Sequence, residues 1–435
     1  MNNCSYSNPD RPDYKCKRER YGEFEYCIFH LPDPSLILNY NKIFKEEFAK
    51  LHEKKDGDWL GFKFNENVKI DKPQITYEID FSYSEFGKVE IHQGKFEKSI
   101  TADNCLFKKE IYINAKFLSN FSCQNASFEK PIRLHCTFDA TAKFNNTNFW
   151  KQTWFGGSFN GEQTGFQDCI FHDSATFSGG RDVTLMIGGQ EQNNSTAKIR
   201  RLFKKQTGMQ HVDFQRPDRV KFVGVDMAKV LLVGTDLRGV HLYDTTWYQK
   251  KLGRNGLADE IHTSQTTDET YTNYITPRIE SQYRNVRAAL EDNKDFIFAS
   301  DFYIGEMEIR RKKGNFFKQH FFSVEAFYNS LSQYGTNPKR ALRILFYFYL
   351  LHILLTIFIQ KPVLDIWFFS DINIDTYKTI INYSINSLKI LTLQKFGPFV
   401  ENGLCQSMID CVFRILGPFQ IALFLMSIRN RIKRL

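Results

Sequence analysis

From residue 220 to residue 247 the sequence beats with a period of five. Large apolar side chains stand at Phe222, Met227, Leu232, Leu237, Leu242 and Trp247. Two positions before each of them stands Val or Thr: Val220, Val225, Val230, Thr235, Val240 and Thr245. A helix repeats every ~3.6 residues and a flat strand every ~2, so neither accommodates this beat. A chain that turns a corner every five residues does. Four fives close one square coil, and coils stack into a solenoid. Such a stack offers surfaces for binding and seldom a cleft for catalysis.

The same beat runs earlier in a looser form, with Phe as the large residue, at Phe81, Phe86, Phe96, Phe107, Phe117, Phe128, Phe138, Phe144, Phe149, Phe155, Phe166, Phe171 and Phe177. A small residue precedes most of them by two, among them Ser84, Cys105, Ala126, Cys136, Thr147, Cys169 and Ala175. Spacings of 5, 6, 10 and 11 place an extra residue at some corners and leave others without a ring. Stacked coils then predict internal ladders of Phe at the inter-strand distance of ~4.8 Å. The alternation at period two that a β-sandwich needs is absent. The pattern resembles the pentapeptide-repeat family, whose motif is a small residue, any residue, then a central Leu or Phe. That resemblance implies a mainly β fold, a right-handed quadrilateral β-helix. It covers 57–250, is strongest at 220–247 and breaks at 178–217, where Arg200, Arg201, Lys204 and Lys205 read as a helical or irregular insertion.

Near the start, within 1–34, Cys4, Cys16, Cys27 and His30 give the spacing C-x11-C-x10-C-x2-H. Three thiolates and an imidazole make a closed tetrahedral set of the kind that holds structural Zn²⁺. A short segment rich in Asn, Pro, Asp and Lys cannot bury a core of its own, so a metal would supply the missing stability. A Cys and Cys-x-x-His cluster ahead of the repeats is similar to some members of the family. Residues 35–56 read as a helix capped by Ser35, with Leu36, Ile37, Ile43, Phe44, Phe48 and Leu51 on its apolar face, covering the open end of the first coil.

Net charge is +9 over 435 residues. The resemblance raises the possibility of a DNA mimic that targets topoisomerases, but a mimic needs an acidic surface, and the basic balance argues against it. Lys and Arg cluster beside apolar segments at the C-terminal end, which points to a membrane and away from nucleic acid. Residues 1–30 carry no apolar stretch of the kind that opens a secretory signal, and the nine Cys form no disulfide framework, so the solenoid is expected in a reducing cytosol.

After Trp247, residues 251–335 read as a polar linker to about 275, a helix opened by Pro277, a second helix ending in Arg310-Arg311-Lys312-Lys313, and an aromatic interfacial helix over 315–334. The stretch Tyr283–Lys313 resembles the segment that precedes the membrane part in membrane-bound pentapeptide-repeat proteins. Glu306 and Glu308 are expected to pair with neighbouring Arg on a helix face. Residues 336–435 hold two apolar runs, at about 341–359 and 409–428, each long enough to cross a bilayer. Their basic flanks, Lys339, Arg340 and Arg343, then Arg429, Arg431, Lys433 and Arg434, place both ends in the cytoplasm. Tyr377–Leu393 reads as a re-entrant or interfacial helix, Gly417-Pro418 as a kink, and Asp410 and Arg414 as the charges to watch within the second span.

Phosphate-loop, nucleophile-elbow and zincin motifs are absent, His172-Asp173-Ser174 is a triad in letters only, and no enzyme is expected. The reading is a multi-pass inner-membrane protein, bacterial by its resemblance, whose solenoid is a platform for a protein partner. A homo-oligomeric ion channel or membrane effector with the solenoid as sensor or gate is the alternative, although no Thr-Val-Gly-Tyr-Gly filter is present.

Overall fold

The computed structural model describes residues 3–65, 67–179, 201–250, 253–312, 323–359, 374–393 and 404–432. The chain forms two compact units, Met1–Lys294 and Asp295–Leu435.

The first unit is built on a parallel β-solenoid of about eight turns. Two seven-stranded sheets are made of two-residue strands and one nine-stranded sheet mostly of longer ones, such as Val89–Phe96, Ile111–Phe117, Ile132–Phe138 and Thr153–Phe159. Ile79, Ile100, Phe121 and Ala142 pair in register at intervals of 21 residues. Four fives leave one residue over. At the five-residue corners that precede Phe107, Phe128, Phe149 and Phe171, Asn104, Asn125, Asn146 and Asp168 take φ between 55° and 58°. Asn and Asp tolerate this left-handed conformation because their short side chains bond locally.

The Phe ladders form as the beat requires. Phe64, Phe86, Phe107, Phe128, Phe149 and Phe171 stack with centroids 4.3–5.2 Å apart and planes within 9°. A second column, Phe96, Phe117, Phe138 and Phe159, stacks at 4.7–4.9 Å. Coil spacing therefore sets ring spacing. The small positions point inward and close the corner carbonyls: Thr147 Oγ1 donates to Cys123 O at 2.8 Å, and Cys169 Sγ to Phe144 O at 2.9 Å. Burial pushes the Cys136 and Cys169 thiols up to about 12, so they pack as small apolar groups.

Several boundaries differ from the sequence reading. Phe203 bridges Phe159, Thr207–Gly208 pairs with Thr164–Gly165, and Asp213–Phe214 pairs with Ile170–Phe171, so the ladder resumes well inside the expected insertion at 178–217. Arg200 lies outside the described residues, and Arg201, Lys204 and Lys205 lie on the resumed coil. The capping helix α1 (Tyr40–Glu53) starts after Asn39, and Ser35 sits instead in a 3-10 turn capped by Asp33. Phe44 and Phe48 of α1 pack on Phe64 at 5.6 Å each and cover the first coil.

The expected linker to residue 275 is also helical: α2 (Ala258–Gln265) and α3 (Glu269–Asp292) close the other end, and Pro277 lies inside α3. An open last coil exposes unpaired backbone groups. The buried Asp259 carboxylate accepts from Leu232 N and Val233 N at 3.0–3.1 Å, Gln282 Nε2 donates to Thr235 O at 3.0 Å, and Asn293 Nδ2 to Val240 O at 2.7 Å. Short-range patterning reads Asp259 as part of a polar linker because its partners lie far back along the chain.

The second unit is helical: α4 (Phe296–Lys312), α5 (Val324–Ser332), α6 (Pro338–Ile359), α7 (Ile374–Leu391) and α8 (Leu404–Ile432). Glu306 pairs with Arg310 at 3.2 Å along α4. Phe316, Phe317, Phe321 and Phe322 of the expected interfacial helix lie outside the described residues. Helices α6 and α8 are long and apolar enough to cross a membrane. Their pattern is inverted relative to a water-soluble bundle. Phe346, Leu350, Leu354 and Phe358 of α6, and Val412, Ile415 and Leu425 of α8, are exposed, while His352, Thr356, Gln406, Asp410 and Gln420 are buried. The end of α7 packs between them, where Ile390 and Leu391 meet Phe413. Only glycine fits at 417, because a Cβ there would lie 2.6 Å from Leu391 O. Pro418 falls within the single helix α8, and Gln420 Nε2 donates to Ala341 O at 2.7 Å.

Candidate metal centre

All four expected ligands converge. Cys4 Sγ, Cys16 Sγ, Cys27 Sγ and His30 offer donor atoms within 4.8 Å of one another, all buried, and could hold a metal ion. Cys16 Sγ lies 3.9 Å from Cys27 Sγ, too far for a disulfide. His30 Nδ1 lies 3.2 Å from Cys27 Sγ and 3.5 Å from Cys4 Sγ. The Cys27–His30 end is a tight turn closed by His30 N donating to Cys27 O at 3.0 Å, which aims both side chains at one point. Cys4 is brought in by Cys4 N donating to Arg18 O at 2.8 Å, and its sulfur accepts from Cys27 N at 3.2 Å.

Neighbours outside the ligand set orient it. His30 Nε2 lies 2.8 Å from Leu60 O, so Nε2–H donates there and Nδ1 keeps its lone pair for the centre. Tyr6 stacks on the imidazole at 3.9 Å with planes 2° apart, and Phe62 meets it edge-on at 5.4 Å. Arg18 bonds Asp56 at 2.9 Å and Asp58 O at 2.6 Å, with its guanidinium 4.9 Å over the Phe62 ring. Lys63 N donates to Phe29 O at 3.0 Å, which ties the segment to the first coil.

Without a cation the protonation of the cluster is in conflict. Hydrogen bonds from Cys16 and Cys27 drive the Cys4 thiol far down, while those from Cys16 and Cys4 drive Cys27 far up. Burial lowers His30, yet hydrogen bonds with Cys16 and Cys4 outweigh it and push it up to about 9. Four donors this close cannot all be satisfied by shared protons, whereas one cation satisfies them together. The four ligands were readable from spacing. Tyr6, Arg18 and the Leu60 carbonyl carried no signal of their own.

A second cluster lies in the helical unit. His352 Nδ1 is 2.8 Å from Ser387 Oγ, and His352 Nε2 is 3.1 Å from Asp410 Oδ1. Gln406 Nε2 donates to Asp410 Oδ1 at 2.7 Å and to Thr356 Oγ1 at 3.1 Å. The network ties α6, α7 and α8 together. Asp410 stands out in the sequence by its charge, whereas His352 and Thr356 are only polar interruptions of an apolar run. Ser387 and Gln406 were not singled out. The letters His172-Asp173-Ser174 do not converge: His172 bonds Gln215 and Asp173 bonds Arg219.

Fold and clusters together define a parallel β-solenoid with a buried Cys/His cluster, followed by helices, two of them apolar and long. Compared with protein-family models, curated proteins and solved structures, the chain matches none.

Proposed function

We propose that this chain is a membrane-anchored pentapeptide-repeat protein whose right-handed, four-sided solenoid is a non-enzymatic platform for a protein partner. The five-residue beat with its one residue over per coil supports the repeat family. The inverted pattern of α6 and α8 supports insertion, since a bilayer rewards apolar side chains outside and polar ones within. Basic residues in the first turns of α6 and at the end of α8 support cytoplasmic termini at a bacterial inner membrane. The metal is zinc in a structural role. A zinc tetrahedron with bonds of ~2.3 Å to sulfur and ~2.05 Å to nitrogen has S···S edges of ~3.8 Å and S···N edges of ~3.6 Å. The observed 3.9, 3.5 and 3.2 Å lie close to these. Four protein ligands leave no position for water or substrate.

One observation carries the platform reading. On the outer face of the longest sheet Tyr112, Arg133 and Trp154 stand in one register column, exposed or half-exposed. His135 stacks on Trp154 at 5.6 Å. A Cβ at Gly156 would meet the Trp154 ring at 2.0 Å, so glycine lets the indole lie flat along the sheet. Tyr, Trp and Arg held rigid at a surface are the side chains that dominate protein interfaces. A photo-crosslinking residue at position 133 or 154 of the full chain in cells is expected to capture a discrete product that Tyr112→Ala abolishes. A crosslinker at exposed Glu129 is expected to capture none. Identical products from all three sites, or none, refute the platform.

The His352–Ser387–Asp410 network favours a second reading, an oligomeric channel or membrane effector, because polar groups inside spans mark ion or proton paths. Reconstituted chain would then conduct across planar bilayers and lose conductance in Asp410→Leu. A silent wild type discards that reading.

A further inference from the structure

The solenoid is not filled evenly. One inward ladder runs Ile70, Ile91, Ile113, Leu134, Phe155, Phe177 and Phe222 in register. Its three rings are fully buried, whereas its three isoleucines are only half-buried. A neighbouring inward ladder runs Phe81, Ala102, Cys123, Phe144 and Phe166, linked by backbone hydrogen bonds from coil to coil. Cys123 is compensated by Phe121 in its own coil, but Ala102 is accompanied only by Ile100. The early coils are also distended. The register slips between Ile91 and Gly94, and Lys72 and Gln93 take positive φ.

Missing rings and a widened coil leave a cavity of about 460 Å³ between the lumen of the first coils and α1. Its walls are almost wholly apolar, and Phe44, Phe48 and Trp59 roof it. Among the described residues of its lining, the charged side chains are Lys45 on α1 and Lys69 on the strand Val68–Asp71, both exposed. Ligand pockets run to about 300–1,000 Å³ and combine apolar walls with a few polar groups. A void of this size left empty forfeits packing on every side, and an apolar one does not hold ordered water.

We propose that this cavity binds a single acyl chain bearing an anionic head, a long-chain fatty acid, with the tail in the lumen and the carboxylate between Lys45 and Lys69. An unbranched chain fits an elongated apolar lumen, and the cationic mouth complements a carboxylate. The volume lies at the small end of the pocket range, matching one chain and not a diacyl lipid.

The test uses purified full-length protein in mild detergent. It is photolabelled with a diazirine analogue of palmitate or with a diazirine phosphatidylcholine, and the adducts are mapped by mass spectrometry. The palmitate probe is expected to mark residues between Tyr40 and Phe121, to be displaced by excess palmitate, and to mark them several-fold less in Lys45→Gln/Lys69→Gln. Ala102→Phe, which restores the missing ring, is expected to abolish the adducts while far-UV circular dichroism stays unchanged. Ile113→Phe fills the same space from the other ladder and serves if the first variant misfolds. Palmitate adducts confined to α6 and α8, cavity adducts that survive both filling variants, or equal cavity labelling by phosphatidylcholine overturn the proposal.

Discussion

Cys27→Ser is a sharp perturbation of the metal centre, because Cys27 touches the other three ligands and shares a tight turn with His30. Its sulfur lies 3.9 Å from Cys16 Sγ and 3.2 Å from His30 Nδ1, and its N–H donates to Cys4 Sγ at 3.2 Å. Structural zinc contributes roughly 10–16 kcal/mol of apparent binding free energy, so one donor in four carries about 3–4 kcal/mol. Serine keeps the shape but stays protonated and binds zinc poorly. Zinc affinity should therefore fall by about two to three orders of magnitude. The assay is a competition titration with a chromophoric chelator on detergent-purified full chain, with metal content read on the same sample. Wild type should carry one zinc, and Cys27→Ser should lose it to the chelator and expose the segment before Leu31 to limited proteolysis. Cys405→Ser, an exposed thiol on α8, is the control and should bind zinc like wild type. Wild type without stoichiometric metal, or Cys27→Ser retaining wild-type affinity, would refute the reasoning. Because thiolates bind metal and thiols do not, affinity should also weaken as pH falls.

Three further outcomes follow from the packing. Phe128→Ala, which removes a ring stacked between Phe107 and Phe149 at 4.3 and 5.2 Å, should destabilise the solenoid by about 3–5 kcal/mol. Hydrogen exchange of the adjoining coils would register it, while Glu129→Ala, at an exposed position next to it, should stay within about 0.5 kcal/mol. Burial raises the Asp259 carboxyl to about 6, above its unfolded value of 3.8. The folded state thus holds the proton longer, and stability present below about pH 4 is lost as pH rises through about 6, by about 3 kcal/mol. Carboxyl carbon shifts should titrate near that value, and Asp259→Asn should flatten the slope; a midpoint near 4 would remove the argument. In the helical unit, a double-mutant cycle between His352→Leu and Asp410→Leu should give a coupling of about 1 kcal/mol. Simple additivity in thermal unfolding would mean that the 3.1 Å contact contributes nothing.

Much of this molecule is legible along the chain, because its organising signals are local. A beat of five forces corners, a large residue beside a small one forces the ring inward, and stacked coils convert Phe spacing into columns. The Cys-x-x-His turn announces two ligands from one bend, and runs of apolar residues announce α6 and α8. Other features depend on partners far apart in sequence. Asp259, within the expected linker, and Gln282, in the helix after it, close the solenoid because they meet amides and a carbonyl 26–47 positions earlier. The expected break at 178–217 narrows because Thr207 and Asp213 find strands 43 residues back. Ser387 becomes a partner of His352 only when α7 packs across 35 residues of chain. The lumen cavity arises where two ladders, each unremarkable in letters, omit their rings at the same height. Periodicity determines which way a side chain points, since that follows from backbone geometry within one coil. What it points at is decided by the stacking of coils and helices, where sequence distance no longer measures distance in space.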